Sequence, residues 1–189
     1  MPHLVQTLKP KLTGLDLEKE IRNTIRDVPD FPKPGILFKD ITPVFYDQQL
    51  CSHIVDGFIA SMTEKPDAML GIESRGFLFG FAVANKLGIP FVMVRKVGKL
   101  PSKTHQVEYE LEYGSSVIEV QQDALQPNWN VLIHDDLLAT GGTAEAAARL
   151  VKKSGARVLG FNFVIALDFL NGKEKLIQHS NNITCLVHY

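Results

Sequence analysis

The chain has 189 residues, enough for one folded domain, and 45% of them are hydrophobic against 22% charged. Its formal net charge is -1, so no global field would recruit nucleic acid or a membrane surface. No stretch approaches the roughly 20 apolar residues that span a bilayer. Cys51 and Cys185 are too few for a disulfide framework or a zinc site. We therefore expect a cytoplasmic protein without nucleic-acid or membrane partners.

The first part of the chain predicts a tail, a helix and a loop. We expect residues 1–15 to form an N-terminal tail and residues 16–189 a single domain. Asp16 followed by apolar residues at helical spacing predicts a helix over residues 17–28 with an acidic cap. Three prolines then predict an extended loop over residues 29–35, because proline fixes φ and biases the preceding residue away from helix.

Helices and strands alternate along most of the remaining chain. Helices are predicted over residues 48–62, 76–87 and 143–153, and strands over residues 68–72, 90–94, 131–133 and 158–166. This alternation is typical of βαβ units. The sequence therefore predicts an α/β fold with a central, mostly parallel sheet flanked by helices.

A long basic segment interrupts the alternation at residues 96–109. It contains Gly98 and Pro101 and lacks a buried pattern, and loops of this length are usually functional lids or disordered. We expect a lid that closes and excludes water from a reactive sugar. Residues 107–111 and 117–120 predict a hairpin that turns at Gly114.

The most informative run covers residues 131–143, where two adjacent carboxylates follow an apolar strand. Asp135 and Asp136 should lie at the carboxyl end of that strand, where ligands of parallel α/β sheets bind. Buried carboxylates need donors, and neighbouring hydroxyls of a ribose would supply them. The alternative is that these aspartates simply cap a strand-turn-helix unit.

Small residues follow the two aspartates and open a helix. Main-chain N–H groups, hydroxyls and the positive helix end would converge there on one anion. The turn consists of Ala139, Thr140, Gly141, Gly142 and Thr143. Ribose hydroxyls at one end and a phosphate at the other together predict a site for ribose 5-phosphate.

A second turn, Glu73 to Gly76, also follows a strand and precedes a helix, so its N–H groups can face an anion. An ordinary capped turn with Arg75 in a surface salt bridge is the alternative. Further donors to a polyphosphate would come from Arg95, Lys96, Lys99 and His105, with Mg²⁺ bridging the phosphate oxygens. A solvated basic loop would show the same charges.

Residues 131–143 resemble the phosphoribosyl-diphosphate-binding motif of type I phosphoribosyltransferases. Four further segments resemble, in the same order, adenine phosphoribosyltransferases within that family: residues 30–41, 71–80, 95–101 and 111–114. The resemblance implies the type I fold, with a small N-terminal hood at about residues 16–45 and a flexible catalytic loop at about residues 96–112. It also implies a homodimer, with Arg95 or Lys96 near the partner's site.

The resemblance further implies a reaction. The 5-phosphoribosyl group would pass from phosphoribosyl diphosphate to adenine, giving AMP and pyrophosphate in purine salvage. Mg²⁺ would be bound by the substrate diphosphate, without a direct protein ligand. Glu112 would handle the proton of the purine, and Arg75 would be the second catalytic residue.

The resemblance also assigns the remaining site residues. Pyrophosphate would be held by Glu73, Ser74 and Arg75, with a cis peptide between the first two. Leu37 main-chain groups would select adenine at its six position, with Arg75 and Leu137 beside the base. Phe38 offers a ring on which a purine could stack. The alternative, which the composition of the chain alone would favour, is that Phe38 is an ordinary aromatic residue of the core.

Two other functions remain open from the sequence. One is a phosphoribosyltransferase for another purine base, such as xanthine or guanine. The other is a regulator that binds phosphoribosyl diphosphate without turning it over. His134, directly before the two aspartates, is either a core histidine or a group that perturbs their titration.

Overall fold

The structure, a computed structural model, describes residues 13–110 and 114–189. The helices are α1 (Gly14–Thr24), α2 (Gln48–Ser61), α3 (Gly76–Leu87), α4 (Gly142–Lys153) and α5 (Lys173–Leu176). The strands are β1 (Arg26–Pro29), β2 (Leu37–Asp40), β3 (Ala68–Ile72), β4 (Phe91–Lys96), β5 (Thr104–Glu110), β6 (Ser115–Gln121), β7 (Asn130–Leu138), β8 (Arg157–Ala166) and β9 (Ile183–His188). Short 3-10 turns cover Thr42–Tyr46 and Asp168–Leu170.

The chain divides into two compact units, of which the first ends at Gly57. In this unit β1 and β2 pair antiparallel, with Val28 opposite Phe38. The predicted helix over residues 17–28 is wrong at both ends. It begins at Gly14, after Thr13 at the N-cap, so that Asp16 lies in its first turn.

The end of α1 is set by the strand that follows it. The helix stops at Thr24 because residues 26–29 pair with β2 instead. Cross-strand ion pairs support that pairing, with Arg26 Nη2 lying 2.7 Å from Asp40 Oδ2 and Lys39 Nζ lying 2.7 Å from Asp27 Oδ1. These contacts join residues more than ten positions apart, so local periodicity could not reveal them.

The second unit, residues 58–189, contains a seven-stranded sheet in the order β5-β6-β4-β3-β7-β8-β9. Strands β4, β3, β7, β8 and β9 run parallel, while β6 pairs antiparallel with both β4 and β5. The α/β fold with a mostly parallel sheet is therefore confirmed.

Several predicted elements match the structure closely. Strand β3 and helix α3 have the predicted bounds, and Gly88 ends α3 in the left-handed conformation at φ +64°. Strand β7 is longer than predicted, because its pairing with β8 continues to Leu138 opposite Ala166. Asp135 and Asp136 therefore lie within the strand and not beyond it. Strand β9 was not predicted.

The predicted lid begins as loop but ends as strand. Residues 104–110 form β5, which pairs with β6 along its whole length, from Thr104 opposite Gln121 to Glu110 opposite Ser115. Only residues 97–103 of the predicted loop lack helix or strand. The hairpin prediction is confirmed, with β5 starting earlier than expected and Gly114 at φ +88°.

One face of the sheet packs against α4 and forms the main core. Alanines at positions 144, 146, 147 and 148 are at most 4% exposed, and these small side chains let the helix lie close to Val131, Ile133 and Phe163. Within the two described ranges, no helix combines the length and apolarity needed to cross a bilayer.

Candidate active site

Two turns lie at the carboxyl edge of the sheet, where ligands of open α/β sheets bind. Strand β3 ends at Ile72, and the turn before α3 contains Glu73, Ser74 and Arg75. Strand β7 leads through residues 139–141 into α4. Because β3 and β7 are parallel neighbours, with Gly71 opposite His134, both turns lie at the same edge.

Glu73 gathers three donors in the first turn. Its Oε1 accepts hydrogen bonds from Arg95 Nη2 at 2.8 Å and from Lys99 Nζ at 2.9 Å, and its Oε2 accepts one from the Lys96 amide at 3.2 Å. The hydrogen bond from Arg95, followed by those from Lys99 and Lys96, outweighs burial and lowers the pKa of Glu73 to about 2. The Glu73–Ser74 peptide is cis, as the resemblance implies.

Arg75 reaches across to the second strand. Its Nε lies 2.8 Å from Oδ2 of Asp136, whose side chain is only 7% exposed while that of Arg75 is 39% exposed. Burial raises the pKa of Asp136, and the neighbouring guanidinium opposes that shift. The ion pair joins the turn after β3 to strand β7.

Asp135 lies on the same strand, against the start of α3. A Cβ at Gly76 would stand 2.9 Å from Asp135 Oδ1 and 2.8 Å from the His134 carbonyl oxygen, so only glycine permits this approach. Burial, followed by repulsion from Asp136, raises the pKa of Asp135 well above its ordinary value. Two consecutive carboxyl groups thus lie near the end of β7, and that of Asp136 is the one paired with Arg75.

His134 lies beneath these carboxylates in the core. It is fully buried, with its ring edge-on to Phe58 at a centroid distance of 5.2 Å. Burial lowers its pKa to about 3, so the imidazole is neutral near pH 7. The structure therefore places His134 in the core, which was one of the two alternatives that the sequence left open.

The second turn brings main-chain N–H groups to the same edge. Gly141, at φ +77°, is the N-cap of α4, and the first N–H groups of a helix have no partner within it. A Cβ at Gly141 would stand 2.4 Å from the Gly172 carbonyl oxygen, so the turn is packed tightly from behind. Thr143 Oγ1 lies 3.4 Å from the Tyr109 hydroxyl, which links the turn to β5. Such a turn suits an anion.

Comparison with known proteins agrees with this arrangement. Residues 45–183 match the phosphoribosyl transferase domain family. The adenine phosphoribosyltransferase of Cytophaga hutchinsonii is 51% identical over 174 residues, which are 92% of this chain and 96% of that protein. This chain belongs to the adenine phosphoribosyltransferase family.

Solved structures of the family share the fold. Adenine phosphoribosyltransferase from Thermoanaerobacter pseudethanolicus has a TM-score of 0.86 and 44% identity, covering 90% of this chain and 99% of that one. The Saccharomyces cerevisiae enzyme, in complex with D-2,5-dideoxy-2,5-imino-altritol 1,6-bisphosphate and adenine, has a TM-score of 0.84 and 42% identity, covering 90% and 98%. The type I phosphoribosyltransferase fold predicted from the sequence is thereby confirmed.

Several basic residues of this adenine phosphoribosyltransferase family member were predicted to bind diphosphate, and the structure brings only some of them together. Arg95 and Lys99 meet at Glu73, as described above. Arg95 lies opposite Glu119, whereas Lys96 lies opposite Ile118 and His105 opposite Val120. Successive side chains of a strand point to opposite faces, so Lys96 and His105 extend from the other face of the sheet.

The residues predicted to contact adenine fall in different parts of the chain. Leu37 and Phe38 belong to β2 in the first unit, where Leu37 is 51% exposed and the Phe38 ring lies edge-on to Phe31 at 5.1 Å. Leu137 is half-buried in β7. Glu112 lies outside the described residues.

Two residues of the site region escaped the sequence analysis. Tyr109 looked like an ordinary strand residue, and its link to Thr143 spans 34 positions. Glu119 interrupts the apolar run Val117 to Val120, and that interruption was the available signal. A charged residue within a strand that is otherwise apolar is normally paired or hydrogen-bonded when buried.

Proposed function

We propose that this chain transfers the 5-phosphoribosyl group from 5-phosphoribosyl 1-diphosphate to adenine, giving AMP and pyrophosphate in purine salvage. The observation that carries the proposal is the pair of strand-end turns at one edge of the sheet, with Arg75 of the first turn paired to Asp136 of the strand that leads into the second. One turn is rich in N–H donors next to carboxylates, and the other is rich in cations. The Cytophaga hutchinsonii relative, which is 51% identical over 174 residues, is named for this activity.

The ribose 5-phosphate end would be held by β7 and the turn that follows it. Asp135 and Asp136 would accept hydrogen bonds from the ribose hydroxyls, because carboxylates offer acceptor sites only. The phosphate would sit on the N–H groups and hydroxyls at the start of α4. This set consists of Ala139, Thr140, Gly141, Gly142 and Thr143.

The diphosphate end would be held by the turn after β3 and by the cations gathered there. In this structure, the side chains of Arg95 and Lys99 donate to Glu73. A bound diphosphate would give each of these two cations a second anionic partner. Ser74 and Arg75 complete this end, and the resemblance adds Lys96 and His105 from the opposite face.

Mg²⁺ would be bound by oxygens of the substrate diphosphate, because this cation prefers oxygen ligands. It would neutralise negative charge on the leaving group. The donor set suits such a loaded polyanion, because the first turn offers guanidinium and ammonium groups next to a single carboxylate, Glu73. The chain's own cations would stabilise the pyrophosphate as it departs.

The base would be held by Leu37, Phe38, Arg75 and Leu137. In the reaction, purine N9 bonds to C1 of the ribose, the bond from C1 to the diphosphate oxygen breaks, and pyrophosphate leaves with the electron pair. The N9 proton must be lost as this bond forms, and Glu112 would accept it, so that the purine ends the step neutral in AMP. Holding both reactants in line would supply much of the catalysis.

Replacing Glu112 tests its part in proton handling. Glu112→Leu should lower kcat by about 10²-fold or more, because positioned proton-transfer groups typically contribute 10²- to 10⁴-fold. Glu110→Leu, two positions away, is the control and should leave kcat within about twofold, the usual range for an exposed substitution. Steady-state AMP formation measures both. Wild-type kcat in Glu112→Leu would refute the assignment.

The reaction itself is tested by product analysis. The chain is incubated with phosphoribosyl diphosphate, Mg²⁺ and one base at a time from adenine, hypoxanthine, guanine and xanthine, and nucleotides are separated by chromatography. AMP from adenine, with little product from the other bases, is expected. Product from guanine or xanthine alone would identify another purine phosphoribosyltransferase. Binding of phosphoribosyl diphosphate without pyrophosphate release from any base would identify a regulator.

We also propose that the chain forms a homodimer in the cytoplasm, where Cys51 and Cys185 would remain free as they are here. Leu78 and Phe81 on α3 are 52% and 58% exposed, and Met93 on β4 is 42% exposed. Phe81 packs on Phe91, two positions before Met93, so these side chains form one apolar surface beside Arg95. Sedimentation should give the mass of a dimer, and Phe81→Glu should give that of a monomer.

A further inference from the structure

Glu119 of β6 is a buried charged residue that the proposed reaction does not use. It is 2% exposed, yet both of its carboxylate oxygens are hydrogen-bonded. Oε1 accepts from the amides of Lys99 and Leu100, each at 3.0 Å, and Oε2 accepts from Thr104 Oγ1 at 3.0 Å and Gln106 Nε2 at 3.3 Å. All four donors are neutral groups. Such a set stabilises an ionised carboxylate in a dry site.

The electrostatics of Glu119 agree with this geometry. Burial alone would raise its pKa, but the hydrogen bonds from Leu100, Thr104, Lys99 and Gln106 together lower it. The carboxylate is therefore ionised at neutral pH. The bonds to two consecutive main-chain amides are charge-assisted and directional, so they fix the path of the chain at those residues.

Those amides belong to the middle of the loop of residues 97–103. Its other hydrogen bonds to β6 and the residue after it lie nearer the two ends, at Val97, Pro101 and Lys103. Its residues are exposed except for Leu100, and two of them, Gly98 and Ser102, have φ of +84° and +71°. The loop links β4 to β5 without helix or strand of its own. Glu119 thus anchors the middle of the loop to the sheet.

Lys99 connects this anchor to the cations of the candidate site. Its amide is held by Glu119, its carbonyl oxygen accepts a hydrogen bond from Arg95 Nη1 at 3.1 Å, and its ammonium donates to Glu73 at 2.9 Å. Arg95 also lies opposite Glu119 in the pairing of β4 with β6. The position of both cations therefore depends on the path of the loop that Glu119 fixes.

We propose that Glu119 is a positioning residue for the diphosphate end of the site: it holds the main chain at Lys99 and Leu100 so that the side chains of Lys99 and Arg95 are set for a polyanion. This inference rests on the proposed function. Glu119 does not itself meet the substrate, since its oxygens are occupied by donors of the loop and of β5. Without it, the loop would have to be ordered at the moment of binding, and that ordering would weaken affinity for the diphosphate.

The role predicts a specific kinetic pattern. Glu119→Ala should raise KM for phosphoribosyl diphosphate about tenfold or more while kcat and KM for adenine stay within about threefold, because a saturating diphosphate restores the loop. Glu119→Gln should return KM to within about threefold of the wild type. Its amide oxygen can still accept from both loop amides, while its NH₂ can donate to the Thr104 hydroxyl and a flipped Gln106 amide.

The experiment compares these variants with Glu108→Ala, a control on the neighbouring strand whose carboxylate accepts a hydrogen bond from Ser115 of β6. Steady-state rates are measured against each substrate, and pyrophosphate binding is measured by calorimetry. Glu108→Ala should leave KM for phosphoribosyl diphosphate within about twofold, and pyrophosphate affinity should fall only in Glu119→Ala. If Glu119→Ala does not fold, Thr104→Val carries the test, with an expected rise in KM of about threefold for one lost hydrogen bond.

Each outcome decides between the two claims. A wild-type KM for phosphoribosyl diphosphate in Glu119→Ala, or a fall in kcat alone with both KM values unchanged, would overturn the positioning role. Failure of Glu119→Gln to restore KM would overturn it as well. If the wild-type chain forms no AMP but its pyrophosphate affinity follows the predicted order, the proposed function fails and the positioning role stands.

Discussion

Arg75 and Asp136 show how a single pair can serve two states of the site. An unpaired carboxylate as buried as that of Asp136 would cost several kcal/mol, and Arg75 offsets that cost in the free protein. The same guanidinium lies in the turn proposed to hold diphosphate. The pair therefore stabilises the Asp136 carboxyl proposed to bind ribose, and it holds a partly exposed guanidinium at the proposed diphosphate end.

Replacing Arg75 removes a cation from the proposed diphosphate end of the site. Arg75→Gln is expected to lower kcat/KM for phosphoribosyl diphosphate by about 10- to 100-fold, the usual effect of losing a charge-assisted hydrogen bond. Arg157→Gln, which removes an exposed guanidinium bonded to Asn128, is the control and should change kcat/KM by less than about twofold. Steady-state kinetics measure both. An unchanged kcat/KM in Arg75→Gln would refute its role.

His134 makes stability depend on pH. Its pKa is lowered to about 3 in the folded chain, so the unfolded chain binds the extra proton below its ordinary pKa of 6.5. Stability from this group is therefore present above about pH 6.5 and is lost as the pH falls toward 3. The linkage slope is about 1.4 kcal/mol per pH unit within that window.

The variant His134→Val isolates this effect. The free energies of unfolding of the variant and the wild type are measured by urea denaturation at pH 7.5, 6 and 5. Contributions from other titrating groups cancel in the difference between the two proteins. The variant should gain relative to the wild type as the pH falls, by about 1.4 kcal/mol per unit below pH 6. A difference that is the same at all three values would contradict the account.

At the scale of elements, the start of α4 depends on glycine for two separate reasons. Gly141 has φ +77°, and a Cβ there would meet the Gly172 carbonyl oxygen at 2.4 Å. Gly88, which ends α3 at φ +64°, has open space where its Cβ would be. The two positions therefore separate the cost of backbone strain from the cost of a steric clash.

Substituting each glycine by alanine measures that separation. Gly88→Ala should lower the free energy of unfolding by about 1 kcal/mol, the cost of a left-handed alanine. Gly141→Ala should cost about 1–3 kcal/mol more, because the helix start must also shift. It should also raise KM for phosphoribosyl diphosphate, whereas Gly88→Ala should not. If Gly88→Ala and Gly141→Ala lost the same free energy of unfolding in urea denaturation, the predicted additional cost of the clash at Gly141 would be contradicted.

The elements that local pattern predicted well are those whose own sequence carries a strong signal at both ends. Strand β3 is buried throughout, and α3 ends at a left-handed glycine, so local signals fix the bounds of both. The elements that it missed depend on distant partners. The helix α1 ends early because β1 pairs with β2, and β7 runs past its two aspartates because β8 continues beside it.

The candidate site follows the same division. The strand-end positions of Arg75 and Asp136 were predictable, because parallel strands place their carboxyl ends at one edge. Their ion pair was not, since it joins residues 61 positions apart in sequence. The same holds for Glu119, whose four donors come from the neighbouring loop and strand. The diphosphate contacts of Lys96 and His105 stay predictions.

At the scale of the whole molecule, a net charge of -1 means that anion binding depends on local arrangement. The second unit supplies that arrangement at one edge of its sheet, where one turn gathers cations around Glu73 and the other presents the N-terminus of α4. Between them lie the two carboxylates of β7. The order of groups along this edge matches the order of groups along phosphoribosyl diphosphate.

The most direct test of this match is a crystal structure of the chain with phosphoribosyl diphosphate, Mg²⁺ and an unreactive adenine analogue. The account predicts the 5-phosphate at residues 139–143 and the ribose hydroxyls on Asp135 and Asp136. It predicts the diphosphate within hydrogen-bond distance of Arg75, Arg95 and Lys99. A sugar phosphate bound with its diphosphate at the start of α4, or away from this edge, would contradict it.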